Sequence, residues 1–154
     1  MHIEKINLHK ISTKYGDGKV FGQRGQFKTL FLVSMMNSSK QQVWGESYIG
    51  IYIPDNLDQI AKLISDRLMG LEILNKKDYK SRISIPFVSG SGLFQSTLSA
   101  FDLCIWQLRA FELNISLLDL IKSELNKELV RDSSSKKIKF YGSGGSVSFN
   151  PVEC

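Results

Sequence analysis

FKTLFLVSM, Phe27–Met35, is rich in β-branched and aromatic residues and reads as a strand buried largely on both faces. Asn37-Ser38-Ser39-Lys40 follows as a turn, and QVWGESY, Gln42–Tyr48, reads as the next strand. Upstream, residues 2–14 carry Ile3, Ile6, Leu8 and Ile11, and the Ile6/Leu8 alternation gives another strand. Tyr15-Gly16-Asp17-Gly18 opens a loop that continues through Gly22–Gln26. Three strands with two close connections predict an antiparallel meander. A sheet of this kind must cover one face with other elements.

The cover comes next, because the apolar period changes after Pro54 and Asp55. Leu57, Ile60, Ala61, Ile64 and Leu68 recur at helical spacing, and Gly70 supplies a stop. Asp78–Phe87 predicts a short helix broken at Pro86. Gly90-Ser91-Gly92 opens the longest helix, Leu93–Leu113. Its apolar residues, Trp106 among them, cover most of the circumference, which predicts a central helix packed on several sides. Asn114 ends it, and Ser116 is placed to cap a short helix through Ile121. Asp132–Lys137, DSSSKK, reads as a polar linker before a short strand at Ile138. The predicted class is α+β: a three-stranded antiparallel meander followed by a helical bundle.

Bulk properties bound the function. The chain has 154 residues, 42% hydrophobic and 23% charged, enough for one domain with a core. Its net charge of +5 is spread over scattered Lys and Arg with no basic stripe between aromatics, so no nucleic-acid partner is expected. The N-terminus has no apolar signal core, and no apolar run approaches the ~20 residues of a membrane helix. Two cysteines, Cys104 in an apolar helix and Cys154 at the end, make neither a disulfide framework nor a metal spacing. A reducing, cytoplasmic setting fits them.

No set of residues assembles a catalytic centre. Gly142-Ser143-Gly144-Gly145 lacks the Lys-Ser/Thr of a phosphate loop and reads as a flexible strand end. Lys137 and Lys139 fall on one side of a strand, but they abut a Ser/Lys linker, which predicts solvation instead of the lowered pKa of a base. His2 and His9 fall on opposite faces of a strand, which argues against joint metal binding. Asp102 sits mid-helix among large side chains and predicts a structural hydrogen bond, to backbone or Trp106. Glu46 reads as structural. No catalytic residue and no metal ligand is assigned.

Three segments in order carry a family resemblance. VWGESYIGIYIP (Val43–Pro54) resembles the Gly-Trp-Gly-Glu segment and specificity loop of the mandelate racemase and muconate lactonizing enzyme group of the enolase superfamily. AFDLCIWQLRA (Ala100–Ala110) is similar to that group's helix signature, and KFYGSGG (Lys139–Gly145) to its first barrel strand. The sequence departs from the pattern at Phe101 for an aliphatic residue, Cys104 for Ala, Gln107 for an acid whose ion pair is thereby lost, and Lys122 for Gly.

The resemblance implies an N-terminal capping domain over residues 1–132, a linker over 133–137, and the start of a (β/α) barrel over 138–154, a first barrel strand without its barrel. In the family the cap closes a barrel site that holds Mg²⁺ on three acids and removes a proton α to a carboxylate. The resemblance places Tyr15, Arg24, Tyr48 and Tyr52 on the two loops that face a small carboxylate substrate. Mg²⁺ is expected of a full-length member and no cofactor of this chain, which alone should be inactive. Its expected partner is the missing barrel in cis or, failing that, another copy through the unpaired strand. The rival is a stand-alone binding module that keeps the cap fold.

Overall fold

The computed structural model describes residues 1–14, 27–48, 54–85 and 92–124. Strands β1 (Ile3–Lys14), β2 (Phe27–Asn37) and β3 (Gln42–Ser47) form an antiparallel sheet in the order β1-β2-β3. Helices α1 (Leu57–Leu68), α2 (Lys76–Ile83), α3 (Gly92–Leu113) and α4 (Leu117–Glu124) follow, with one 3₁₀ turn at Pro54–Asn56 leading into α1. The arrangement is α+β, a meander and then helices, as the sequence pattern predicts. The expected linker and barrel strand, 133–154, lie outside the described residues.

Side-chain alternation decides which sheet face is covered. Phe31, Val33 and Met35 of β2 are wholly buried beneath the helices, beside Val43 and Ser47 of β3. On the other face Leu30, Leu32 and Met36 are only half-buried, so β2 is sealed on one side and not on both. The β2–β3 turn is built by Asn37, whose Oδ1 accepts from the backbone N–H of Ser39 at 3.1 Å and Gln41 at 2.9 Å.

Helix α3 lies across β2 and β3. The Cys104 thiol donates to the Val33 carbonyl at 3.6 Å, and Ser47 Oγ donates to the Ser96 carbonyl at 3.1 Å. Where β3 meets α3 the two backbones nearly touch. A Cβ on Gly45 would lie 2.0 Å from the Ala100 carbonyl oxygen, so this crossing admits only hydrogen.

The remaining helices follow their local chemistry. Leu57, Ala61, Ile64 and Leu68 of α1 are buried, and Gly70 takes φ +70° to end the turn. Helix α2 starts two residues before the predicted Asp78, because Asn75 caps it by accepting from the Asp78 N–H at 3.0 Å. Ser116 caps α4 in the same way through the Asp119 N–H, and α4 runs on to Glu124. One pairing escaped the sequence reading. Ile3 N–H donates to Leu71 and Ile73 N–H to Met1, each at 3.0 Å, tying the chain start to the segment after α1.

The expectation for α3 needs one correction. Phe94, Phe101, Cys104, Ile105 and Leu108 are buried, but Trp106 is half-buried and Leu103 and Phe111 are exposed. The sheet fills one side of the helix and α1 a flank. Among the described residues the side toward α4 is covered less completely, as the exposure of Leu103 and Phe111 shows.

Candidate functional site

The strand register brings the residues that flank the resemblance-derived loops to one sheet end. Lys14 pairs with Phe27, and Ser47 pairs with Phe31, so β1 hands over to β2 and β3 ends near the same edge. Tyr48, the first residue beyond β3, is 62% exposed there. Tyr15, Arg24 and Tyr52 lie outside the described residues, so of the four candidates only Tyr48 is placed.

The flanks of residues 49–53 are anchored on both sides. Before them, Ser47 is held by the Ser96 carbonyl. After them, Asp55 accepts from Lys10 Nζ at 2.6 Å. That hydrogen bond holds the Lys10 ammonium pKa above its ordinary value. Lys10 and Ser47 both pair with Phe31, so the two anchors share one register row of the sheet. Sequence spacing gave no hint of the Lys10–Asp55 clasp, because β1 and the 3₁₀ turn are joined only through the fold.

The other singled-out residues take structural positions. Asp102 accepts from the Tyr79 hydroxyl of α2 at 2.6 Å, a side-chain partner instead of the expected backbone or Trp106. Burial, and then that bond, push the Tyr79 phenol pKa up. Gln107 Nε2 donates to the Trp44 carbonyl at 2.9 Å and the Leu103 carbonyl at 3.1 Å. A carboxylate cannot donate to a carbonyl, so this strand–helix tie depends on the amide of Gln107. His9 stacks on Trp44 with ring centres 4.8 Å apart and meets Ser34 Oγ at 3.0 Å, whereas His2 bridges Glu72 elsewhere. Glu46 is exposed. Burial pushes the Cys104 thiol up to about 12, which leaves it an inert core group.

Among the described residues no group of three or more His, Cys, Asp or Glu is placed to hold a metal ion. Likewise, no described helix is long and apolar enough to cross a membrane.

No family model and no curated protein matches the chain. Solved structures do. An enolase-superfamily member from Polaromonas sp. JS666 aligns over 99% of this chain and 39% of its own, at TM-score 0.66 and 20% identity. The 3,6-anhydro-D-galactonate cycloisomerase from Zobellia galactanivorans aligns over 73% of this chain and 29% of its own, at 0.58 and 21%. A dipeptide epimerase from Enterococcus faecalis aligns over 78% and 33%, at 0.56 and 16%.

The chain shares its fold with enolase-superfamily structures.

It spans well under half the length of each of these three. Within the enolase-like fold, two of the three resemblance segments touch each other. Gly45, from Val43–Pro54, seats against Ala100, the first residue of Ala100–Ala110. The third segment, Lys139–Gly145, lies outside the described residues.

Proposed function

We propose that this chain is the N-terminal capping domain of a mandelate racemase/muconate lactonizing enzyme-like protein. The observation that carries the reading is the Gly45–Ala100 contact. Two sequence segments that each resemble the family meet at a point where the Ala100 backbone leaves room only for glycine at position 45. The enolase-like fold over most of the chain supports it further.

In this reading residues 1–132 form the cap, 133–137 the linker and 138–154 the entry to a barrel in cis. The barrel supplies Mg²⁺ and a base for proton abstraction α to a carboxylate, as racemase, dehydratase or cycloisomerase. The cap's own part is binding and exclusion of water. Tyr48 projects from the sheet edge as a substrate-facing hydroxyl. The Lys10–Asp55 clasp fixes the chain on the far side of residues 49–53.

The coding sequence beyond the Cys154 codon tests the reading. An in-frame barrel with three acidic strand-end residues is expected, and a reading frame without one overturns it. The 154-residue chain alone should show no Mg²⁺-dependent turnover of α-hydroxy or α-amino acids. Calorimetric titration should find no Mg²⁺ site tighter than about millimolar, since isolated surface carboxylates hold Mg²⁺ weakly.

A further inference from the structure

We infer that the cleft between α3 and α4 is a binding site for a small organic cation, an ammonium group carried on an apolar body. The cleft encloses about 320 Å³ and is lined by Ser99, Asp102, Leu103 and Trp106 of α3 and by Leu117 and Ile121 of α4. Apolar side chains and one indole make its walls, and Asp102 is its one ionisable lining group. This composition, an apolar cavity with a single oriented polar group, is that of small-molecule pockets.

Asp102 selects the sign of the ligand. The carboxylate is half-buried and accepts from Tyr79, a neutral donor. Among the described residues no Lys, Arg or His pairs with it. Arg109, the nearest cation along α3, is engaged by Glu124 and rests over the Trp106 ring at 4.9 Å. A carboxylate beside apolar walls without a counter-cation favours a ligand that brings one. Leu103, Leu117 and Ile121 receive the apolar body, and the Trp106 indole, one face of which already carries Arg109, adds a further apolar wall. The site lies on the helical layer, so it is additional to the substrate-facing sheet end proposed above and does not rest on that reading.

The experiment is NMR titration of the full 154-residue chain with benzylammonium and, separately, its neutral counterpart benzyl alcohol. Benzylammonium should shift the Trp106 indole N–H and the Leu103, Leu117 and Ile121 amides saturably, with a dissociation constant on the order of 1 mM for so small a ligand. Benzyl alcohol should bind at least about fivefold more weakly, a charge-assisted contact being stronger than a neutral one. Asp102→Asn keeps an oxygen for Tyr79 and should reduce benzylammonium to the affinity of the alcohol, leaving the alcohol unchanged. Leu117→Trp, which fills the cleft from α4, should abolish both titrations while the Tyr79–Asp102 pair persists.

Equal affinity for the two ligands, or shifts centred elsewhere, would overturn the inference. So would an Asp102→Asn chain that still prefers the cation. If Lys136→Gln, Lys137→Gln and Lys139→Gln together raise benzylammonium affinity, the site serves lysines of this chain instead of a free cation. If dilution raises it, a second copy fills the cleft.

Discussion

Helix α3 carries large apolar side chains on two flanks, and the flanks meet unequal fates. Toward the sheet, Phe101, Cys104, Ile105 and Leu108 are almost entirely out of contact with water. Toward α4, Leu103 and Phe111 stand exposed and Trp106 is half-covered. The α4 flank also carries Ser99, Asp102 and Gln107, yet its large apolar side chains resemble those of the other. What also differs is the partner: β2 and β3 on one side, α4 on the other. Burial is a property of the pair of surfaces, and only one surface is written in the helix itself.

Breaking the sealed flank should cost most. Phe101→Ala is expected to destabilise by about 4 kcal/mol in chemical denaturation, the range for deleting a buried aromatic. A loss below ~1 kcal/mol would mean that the sheet does not close over α3. Gly45→Ala tests the same seam from the strand side. Its new methyl has no room against the Ala100 carbonyl, so strand and helix must separate, at about 3 kcal/mol. Thermal melts in which Gly45→Ala matches the parent would show the crossing to be loose.

On the open flank the losses should be smaller. Trp106→Ala should cost about 1.5 kcal/mol, roughly half the value for a core tryptophan, since the indole is half-exposed. A cost near 4 kcal/mol would place the indole in a sealed core and erase the contrast between the flanks. Tyr79→Phe removes the bond to Asp102 and should cost about 1 kcal/mol by urea titration.

The smallest effect is a pH dependence. Burial works to raise the Glu124 carboxyl pKa, but hydrogen bonds from Lys76 and Arg109 outweigh it and hold the group below its ordinary 4.5. A depressed carboxylate stabilises fully above its unfolded value and loses that contribution as pH falls through the folded one. Melting temperature should therefore drop below pH 4.5, and Glu124→Gln should flatten part of that drop, by an amount worth about 0.5 kcal/mol. Parallel curves for parent and variant would leave α4 without its ionic tie to α2 and α3.

The legible parts of the fold were those written locally. The Leu57–Leu68 period gave α1 and its buried stripe, the Ser116 cap gave the start of α4, and the β-branched and aromatic content of Phe27–Met35 gave β2, though not its one-sided burial. The misreadings share a cause. Trp106 was assigned to the core but is only half-buried, and Asp102 was assigned a backbone or Trp106 partner when α2 delivers Tyr79. The pairing of Met1 and Ile3 with residues beyond α1, and the reach of Lys10 to Asp55, join segments far apart in the chain. No periodicity records such a meeting. For the candidate site, the resemblance pointed to Tyr48 and the register put it at a sheet edge. Its neighbours in that role, Tyr15, Arg24 and Tyr52, were legible only as loop residues.

The crossing at Gly45 and Ala100 constrains substitution on one side only. A side chain gained at residue 45 meets the Ala100 main chain, which every residue type at 100 would present, so no exchange at 100 can make room for it. The strand can accept a bulkier residue there only if the whole helix moves away. Position 45 is thus held by its neighbour's backbone and not by its neighbour's identity.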